Sequence, residues 1–436
     1  MSSLNVKTIF GPNLGGPCEN YRIPSMIVTK NNVVIACADA RYFTGGDNPN
    51  RIDKVIRRSF DSGETWEDIK LIVAEHGTTK MASSAAIDPV MTYIESINRT
   101  IVMYCHTPAG IGILNCVCSK GEDDNGNIIV KQGFKKYVLK GNKLFTKSGN
   151  ETGYTVDKDG DVTKDGNVVG NIYIGKKFMQ EKTSTLMMCY SDDDGENWSE
   201  PISLNSQIKE SYMSFIGPGP GIGIVVREGK YKDRVIVPIY YGTKKFPLCL
   251  SCAVIYSDDN GKSWKMGESP NNTRMIGNKK ANIMHITNSN MLTESQIIEQ
   301  EGGRLKYFMR NHDKVRRAAT AYSDNGGESF YDFKHVDELP QPICQMSVIK
   351  LNNMDKPYVV FVNPSSEKER ANGMVRLSED DGETFKYSRM FKEGTFVYSS
   401  IAMLPDGNIG VLYEPNLECK QIDFVKFSLD WIKGDN

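Results

Sequence analysis

The chain lacks most of the features that would make its class easy to name. Its 53 basic and 54 acidic side chains nearly cancel, leaving a net charge of −1 and no basic excess for a nucleic acid or other polyanion. No apolar run approaches the ~18 residues that a membrane-spanning helix needs. The first residues, Met1 to Lys7, lack the apolar core of a secretion signal; a complete chain is then expected in the cytoplasm, and a trimmed one outside the cell. Cys249-Leu250-Ser251-Cys252 has no second pair, so it reads as strand packing and not as a metal or redox site; the ten scattered cysteines imply no disulfide framework. Gly217-Pro218-Gly219-Pro220-Gly221-Ile222-Gly223 carries no lysine at phosphate-loop spacing and runs into a strand, which predicts a rigid turn lining a mouth. Asp157-Lys158-Asp159-Gly160-Asp161 has its glycine too early for a calcium-binding loop between helices.

What the chain does contain is a repeat. Ser59-Phe60-Asp61-Ser62-Gly63-Glu64-Thr65-Trp66 returns in altered form at 191–198, 257–264, 323–330 and 378–385, the fourth copy with Asn325 in place of Asp. An acidic residue and a glycine between strand-like runs make a hairpin connection. The terminal aromatic is expected to fold back and plug its own turn. Copies starting at 191, 257 and 323 leave room for about four strands per period, and strand-rich units repeated radially describe a β-propeller. The first interval is twice as long. Between 112 and 178 the boxes lapse and Asp-Gly and Asn-Gly pairs separate short runs, which predicts an inserted β-rich domain, 112–178, within a propeller formed by 1–111 and 179–436. The run Asp233 to Tyr241 reads as an inner strand delivering tyrosines such as Tyr240 to the channel.

Asn20-Tyr21-Arg22-Ile23-Pro24 sets an arginine in an apolar run, where a guanidinium needs an acidic partner or an anionic ligand. Gly45-Gly46-Asp47 follows a strand and can present a carboxylate above a pocket. Tyr-Arg-Ile-Pro followed by several boxes resembles the bacterial sialidase (neuraminidase) family, in the branch that carries an inserted β-domain. The resemblance implies an all-β, six-bladed propeller with its site at the mouth of the central channel. It also implies Asp47, twenty-five residues after Arg22, as general acid/base, with Arg41 beside it and Ile87 and Asp88 facing the sugar. By the same resemblance, Glu294 partners the nucleophile Tyr398, Arg310 and Arg370 complete an arginine triad with Arg22, and Glu414 orients Arg22.

These residue types suit the chemistry. A sialoside carries a carboxylate on the carbon where positive charge develops; three guanidiniums can bind it. A carboxylate nucleophile would be repelled by that anion, whereas a phenol is neutral until a base takes its proton. The expected activity is a retaining exo-α-sialidase acting on sialylated glycans, a monomer, with no metal or cofactor required. One rival is an intramolecular trans-sialidase releasing anhydro-sialic acid, whose relatives tend to set a tryptophan over the aglycone side. Here Trp66, Trp198 and Trp264 belong to boxes, Trp431 is near the carboxyl end, and Phe246 in Lys244-Lys245-Phe246-Pro247 is the obvious replacement, so hydrolysis is favoured. A non-catalytic sugar-binding propeller would not need Asp47, Glu294 and Tyr398 together. A glycosidase for neutral polysaccharide would leave three arginines without a counter-anion.

Overall fold

The computed structural model describes residues 4–243 and 248–434; Phe246 lies outside the described residues. It is an all-β, propeller-like arrangement. Four sheets of four or five strands stand separately, one of them closed by the amino-terminal strand Lys7–Phe10 pairing with Ile422–Phe427. These are four separate blades where six were expected, because eight strands between Asn20 and Ser203, those of the doubled interval excepted, join with Gly221–Ile222 in one nine-stranded sheet. Its two halves, Asn20–Ser59 with Lys70–Val73 and Ala85–Thr107 with Thr185–Ser203, meet through a single parallel pair, Ile52 with Ala85.

Every box occupies the turn between the third and fourth strands of its unit, as the hairpin reading requires. The serine hydroxyl accepts from the glycine N–H (Ser59 from Gly63, 2.8 Å; Ser191 from Gly195, 2.9 Å; Ser378 from Gly382, 2.9 Å). The carboxylate accepts from the backbone four residues on (Asp61 from Thr65, 2.8 Å; Asp380 from Thr384, 2.9 Å). Asn325 does the same for Ser329 at 3.0 Å, so the fourth copy keeps the geometry. Two aromatics fold back on their own turn, Trp198 Nε1 donating to Gly195 O (3.0 Å) and Trp264 Nε1 to Gly261 O (3.1 Å), but others pack away from it. Trp66 meets Phe424 edge-on at 5.5 Å and Phe385 lies 5.6 Å from Phe361 and 6.4 Å from Phe308, the last on another sheet. Burying an aromatic ring against the next unit yields more apolar contact than folding it over a polar turn, so the boxes wedge neighbouring sheets together.

The doubled interval holds a seven-stranded antiparallel sheet, Ile129–Gln132 through Asn171 with Met179–Gln180 on its other edge. It has its own apolar cluster of Val130, Tyr137, Leu144, Val156, Val162, Ile172 and Phe178. The chain leaves the main body after strand Arg99–Thr107 and returns into Thr185–Ser191, and these two strands pair directly.

Two readings need correcting. The 217–223 segment is not a simple turn: Gly217 and Pro218 end strand Met213–Pro218, Gly221–Ile222 pairs in parallel with Val90 and Met91, Ser25 donates to Gly221 O (2.6 Å), and the amides of Gln296 and Gln345 both donate to Pro220 O (3.2 Å each). Residues on or just before the first strands of three sheets thus bind one strap, whose carbonyls would otherwise be buried unpaired. The tyrosine-bearing strand Val235–Thr243 is second in its sheet, behind Met213–Pro218. Among the described residues no helix is long and apolar enough to cross a membrane.

Candidate active site

Side chains for the site come from the same ends of successive first and second strands: Arg22 on Asn20–Val28, Ile87 and Asp88 on Ala85–Ile94, Tyr240 on Val235–Thr243, Glu294 on Leu292–Glu299 and Arg310 on Leu305–Asn311. Arg370 and Tyr398 precede strands Ala371–Ser378 and Ser399–Met403, and Glu414 follows Ile409–Tyr413. Pairing slips beside three of these residues, between Arg22 and Ser25, Ile87 and Val90, and Leu292 and Ser295. Such bulges re-aim side chains. Ile23 (φ 57°) and Asp88 (φ 62°) occupy the left-handed region; for a β-branched residue this is strained, and the surrounding contacts hold it.

The centre is Tyr398, whose ring is 6 % exposed. Its hydroxyl donates to Glu294 Oε1 in a short bond and accepts from Arg310 Nη1 at 2.9 Å, while Arg310 also pairs with Glu294 Oε2. The guanidiniums of Arg22 and Arg370 lie 5.3 and 5.6 Å from the centre of the same ring. All three arginines therefore converge on one phenol. Burial pushes the Tyr398 phenol well above its ordinary range, the Glu294 charge adds to this, and Arg310 opposes it, so the group is a neutral phenol at rest. Arg310 Nε is buried and has no partner among the described residues.

Glu414 serves both sides of the centre. Its carboxylate takes Arg22 Nε (3.1 Å), Arg22 Nη2 (3.3 Å), the Ile23 N–H (2.8 Å) and the Tyr398 N–H (3.4 Å). Burial works against the charge on Arg22 and Arg310, but Glu414 and Glu294 outweigh it and push both guanidiniums above their ordinary range. Arg370 is fixed by one long bond to Ile343 O (3.4 Å).

Asp47 stands at the edge of this group with 67 % of its side chain exposed, bound to Arg41 Nη1 (2.7 Å) and near Arg22 Nη1 (3.5 Å). Desolvation in the mouth opposes its charge, but Arg41 and then Arg22 hold the carboxyl below the usual range. Arg41, expected to line the pocket, is fully buried beneath Asp47. It also donates to Gly45 O (2.9 Å) and pairs with Asp39, whose second oxygen takes the buried Lys54 ammonium; Lys54 also donates to Ala86 O. Asp39 and Lys54 were not anticipated. Asp88 accepts from Tyr240 Oη (3.0 Å), and burial followed by repulsion from Asp39, Glu294 and Asp47 pushes its carboxyl up to about 8. Ile87 is buried beside it.

Comparison with known proteins follows from this geometry. A model of the BNR repeat-like domain matches residues 142–411, more than half of the chain. An anhydrosialidase of Macrobdella decora is 27 % identical over 98 % of this chain and 64 % of its own length, and a sialidase of Bacteroides fragilis is 25 % identical over 93 % and 62 %. The chain thus spans less than two thirds of the length of these curated relatives. Among solved structures, the intramolecular trans-sialidase of Ruminococcus gnavus in complex with oseltamivir carboxylate superposes with a TM-score of 0.81 at 24 % identity, covering 98 % of both chains. The leech intramolecular trans-sialidase complexed with 2,7-anhydro-Neu5Ac gives 0.83 at 24 %, covering 100 % of this chain and 72 % of its own. With five box turns sharing one hydrogen-bond scheme and a family model matching most of their span, the chain belongs to the BNR repeat-like domain family, as a relative of the bacterial sialidases.

Proposed function

We propose that this chain is a retaining exo-α-sialidase that removes terminal sialic acid from sialylated glycans. The observation carrying this reading is a buried neutral phenol, Tyr398, bonded to Glu294 and surrounded by three guanidiniums. A planar anion bridging Arg22, Arg310 and Arg370 gains charge-assisted hydrogen bonds that no neutral sugar can supply. Two parts of the architecture are read the same way. The single Ile52–Ala85 pair supports counting the nine-stranded sheet as two blades, six in all, with 1–111 and 179–436 as the catalytic propeller and 112–178 as an inserted domain.

In the first displacement the Tyr398 oxygen bonds to the anomeric carbon as its proton passes to Glu294. The glycosidic carbon–oxygen bond breaks, and the leaving oxygen takes a proton from Asp47. In the second, water gives its proton to Asp47 and attacks the same carbon; the tyrosyl–carbon bond breaks and the phenol recovers its proton from Glu294. Two inversions retain configuration. In the free protein Arg41 and Arg22 keep Asp47 ionised; a sugar carboxylate among the arginines replaces it as counter-anion of Arg22, which favours the protonated acid only once substrate is bound. Asp88 and Tyr240 face the remaining sugar substituents.

A fluorogenic aryl sialoside tests the activity, and proton NMR of the first-released sugar tests its course. Early α anomer is expected; early β anomer means inversion, and no turnover returns the chain to a binding propeller. Asp47→Ala should lose about 10²-fold or more on sialyl-lactose and little on an aryl sialoside whose leaving group needs no proton; equal losses remove the acid role. The similarity to an anhydrosialidase keeps a second reading alive, in which a sugar hydroxyl of the same residue replaces water in the second step. Mass spectrometry of the product separates the two by one water.

A further inference from the structure

The loop that carries Asp47 is linked along two routes to the stem of the inserted segment, and through neighbours to the segment itself. Asn48, the next residue, donates its amide to Thr107 Oγ1 (2.7 Å) and Ile111 O (3.2 Å). Its carbonyl oxygen abuts Gly112, where a Cβ would come within 2.4 Å of it. Residues 107–112 are the stem through which the chain enters the insert, and Ala109 N donates to Tyr173 O at 3.3 Å within the inserted segment. The Tyr173 ring then lies flat on His76, with centroids 4.4 Å apart and planes 6° apart, and its other contact is Gly160, where a Cβ would fall 2.2 Å from the ring. Beside His76, the Glu75 N–H donates to Asp53 Oδ1 (2.8 Å), at the far end of the acid loop. The Glu75 carboxylate meets His106 Nδ1 (2.8 Å), whose Nε2 meets Gln180 (2.9 Å), where the insert rejoins the main body.

We propose that the inserted sheet acts as a brace for the Asp47 loop, with Tyr173 and Asn48 as positioning residues that fix the acid over the mouth. The proposal rests on the reading of Asp47 as the general acid. Within the loop, Asn50 ties Thr44 and Gly46 (2.8 and 3.0 Å), but these bonds move with the loop. From the main body, Arg41 holds Gly45 O (2.9 Å) and the Asp47 carboxylate, and Arg22 lies 3.5 Å from the same carboxylate; from the other side, the Asn48 contacts and the Glu75–Asp53 bond at the start of the following strand carry the support that leads toward the insert. An exposed carboxylate on such a loop has a position no better defined than its anchors, and displacement of a catalytic group by about 1 Å costs up to ~10²-fold in rate.

The test uses Tyr173→Ala and Asn48→Ala in the full chain. Tyr173→Ala removes the stack on His76 and keeps the backbone bond to Ala109. Hydrogen exchange of peptides covering 42–50 should accelerate at least ~10-fold in both variants, with the 217–223 strap unchanged. Turnover of sialyl-lactose should fall about tenfold, and of an aryl sialoside less than about twofold, because only the former draws on the acid. Unchanged exchange in the loop of both variants overturns the brace, as do equal losses on both substrates accompanied by a lower melting temperature. Should the wild type turn over neither sialoside, the sialidase reading fails, while the exchange measurement still decides whether the insert holds the loop.

Discussion

Tyr398→Phe should abolish turnover, by more than ~10²-fold, while the protein keeps its fold and its affinity for an anionic sugar. The ring fills its site as before: it still lies between the guanidiniums of Arg22 and Arg370, in the buried cluster with Ile23, Cys344 and Val397. What disappears is the oxygen that bonds Glu294 and Arg310. Those two keep their own ion pair, so no buried charge is left alone, and the stability lost should be roughly that of one hydrogen bond to a charged group, about 1.5–3 kcal/mol. Calorimetric binding of sialic acid by the inactive variant would separate loss of chemistry from loss of the arginine pocket. Turnover within about tenfold of wild type would remove Tyr398 as nucleophile and leave Glu294 without a proton to accept. A variant that neither turns over nor binds would mean that the phenol organises the arginines instead of reacting.

Legibility of this protein in its sequence follows the range of the interactions. The box turns were readable because their bonds close within eight residues: Ser59 to Gly63 and Asp61 to Thr65 require nothing from elsewhere. The fold-back of Trp198 and Trp264 onto their own glycines is equally local, whereas the partner of Trp66 is Phe424, which no local pattern announces. Arg22 and Glu414 are 392 residues apart, yet both were found, because an arginine in an apolar strand requires an anion and the resemblance supplied where to look. Asp39 and Lys54 went unseen. Each lies within a strand buried along most of its length, and only the antiparallel register, which sets Asp39 opposite Lys54, explains why two charges can sit there. The composition of the Gly-Pro-rich strap suggests a turn, but it does not fix the bonds that Ser25, Gln296 and Gln345 make to its carbonyls. Merging of two sheets through Ile52 and Ala85 is likewise a matter of one backbone pair.

Asp88→Asn should stabilise the protein increasingly as the pH rises. Burial and the nearby charges of Asp39, Glu294 and Asp47 push the Asp88 carboxyl from its ordinary 3.8 up to about 8, with Arg41 pulling the other way and Tyr240 Oη as its hydrogen-bond donor. The folded protein therefore retains a proton that the unfolded chain gives up above pH ~4, and stability falls with pH between those two values. Below the unfolded value the wild type bears no cost; above about pH 8 it bears all of it, several kcal/mol by linkage. Asparagine cannot ionise, retains an oxygen for the Tyr240 hydroxyl and tolerates the positive φ of this position as well as aspartate does. Urea unfolding of both proteins from pH 4 to 9 should give nearly equal stabilities at the acid end and a gap of at least about 2 kcal/mol in favour of the variant at pH 8.5, flat beyond it. A carboxyl that costs this much while facing the mouth is what a site selected for sugar recognition and not for stability would keep. Parallel stability curves for the two proteins would mean that Asp88 ionises freely in the fold, with its charge met by Arg41 and Lys54, and would remove it as a neutral hydrogen-bonding group at the sugar.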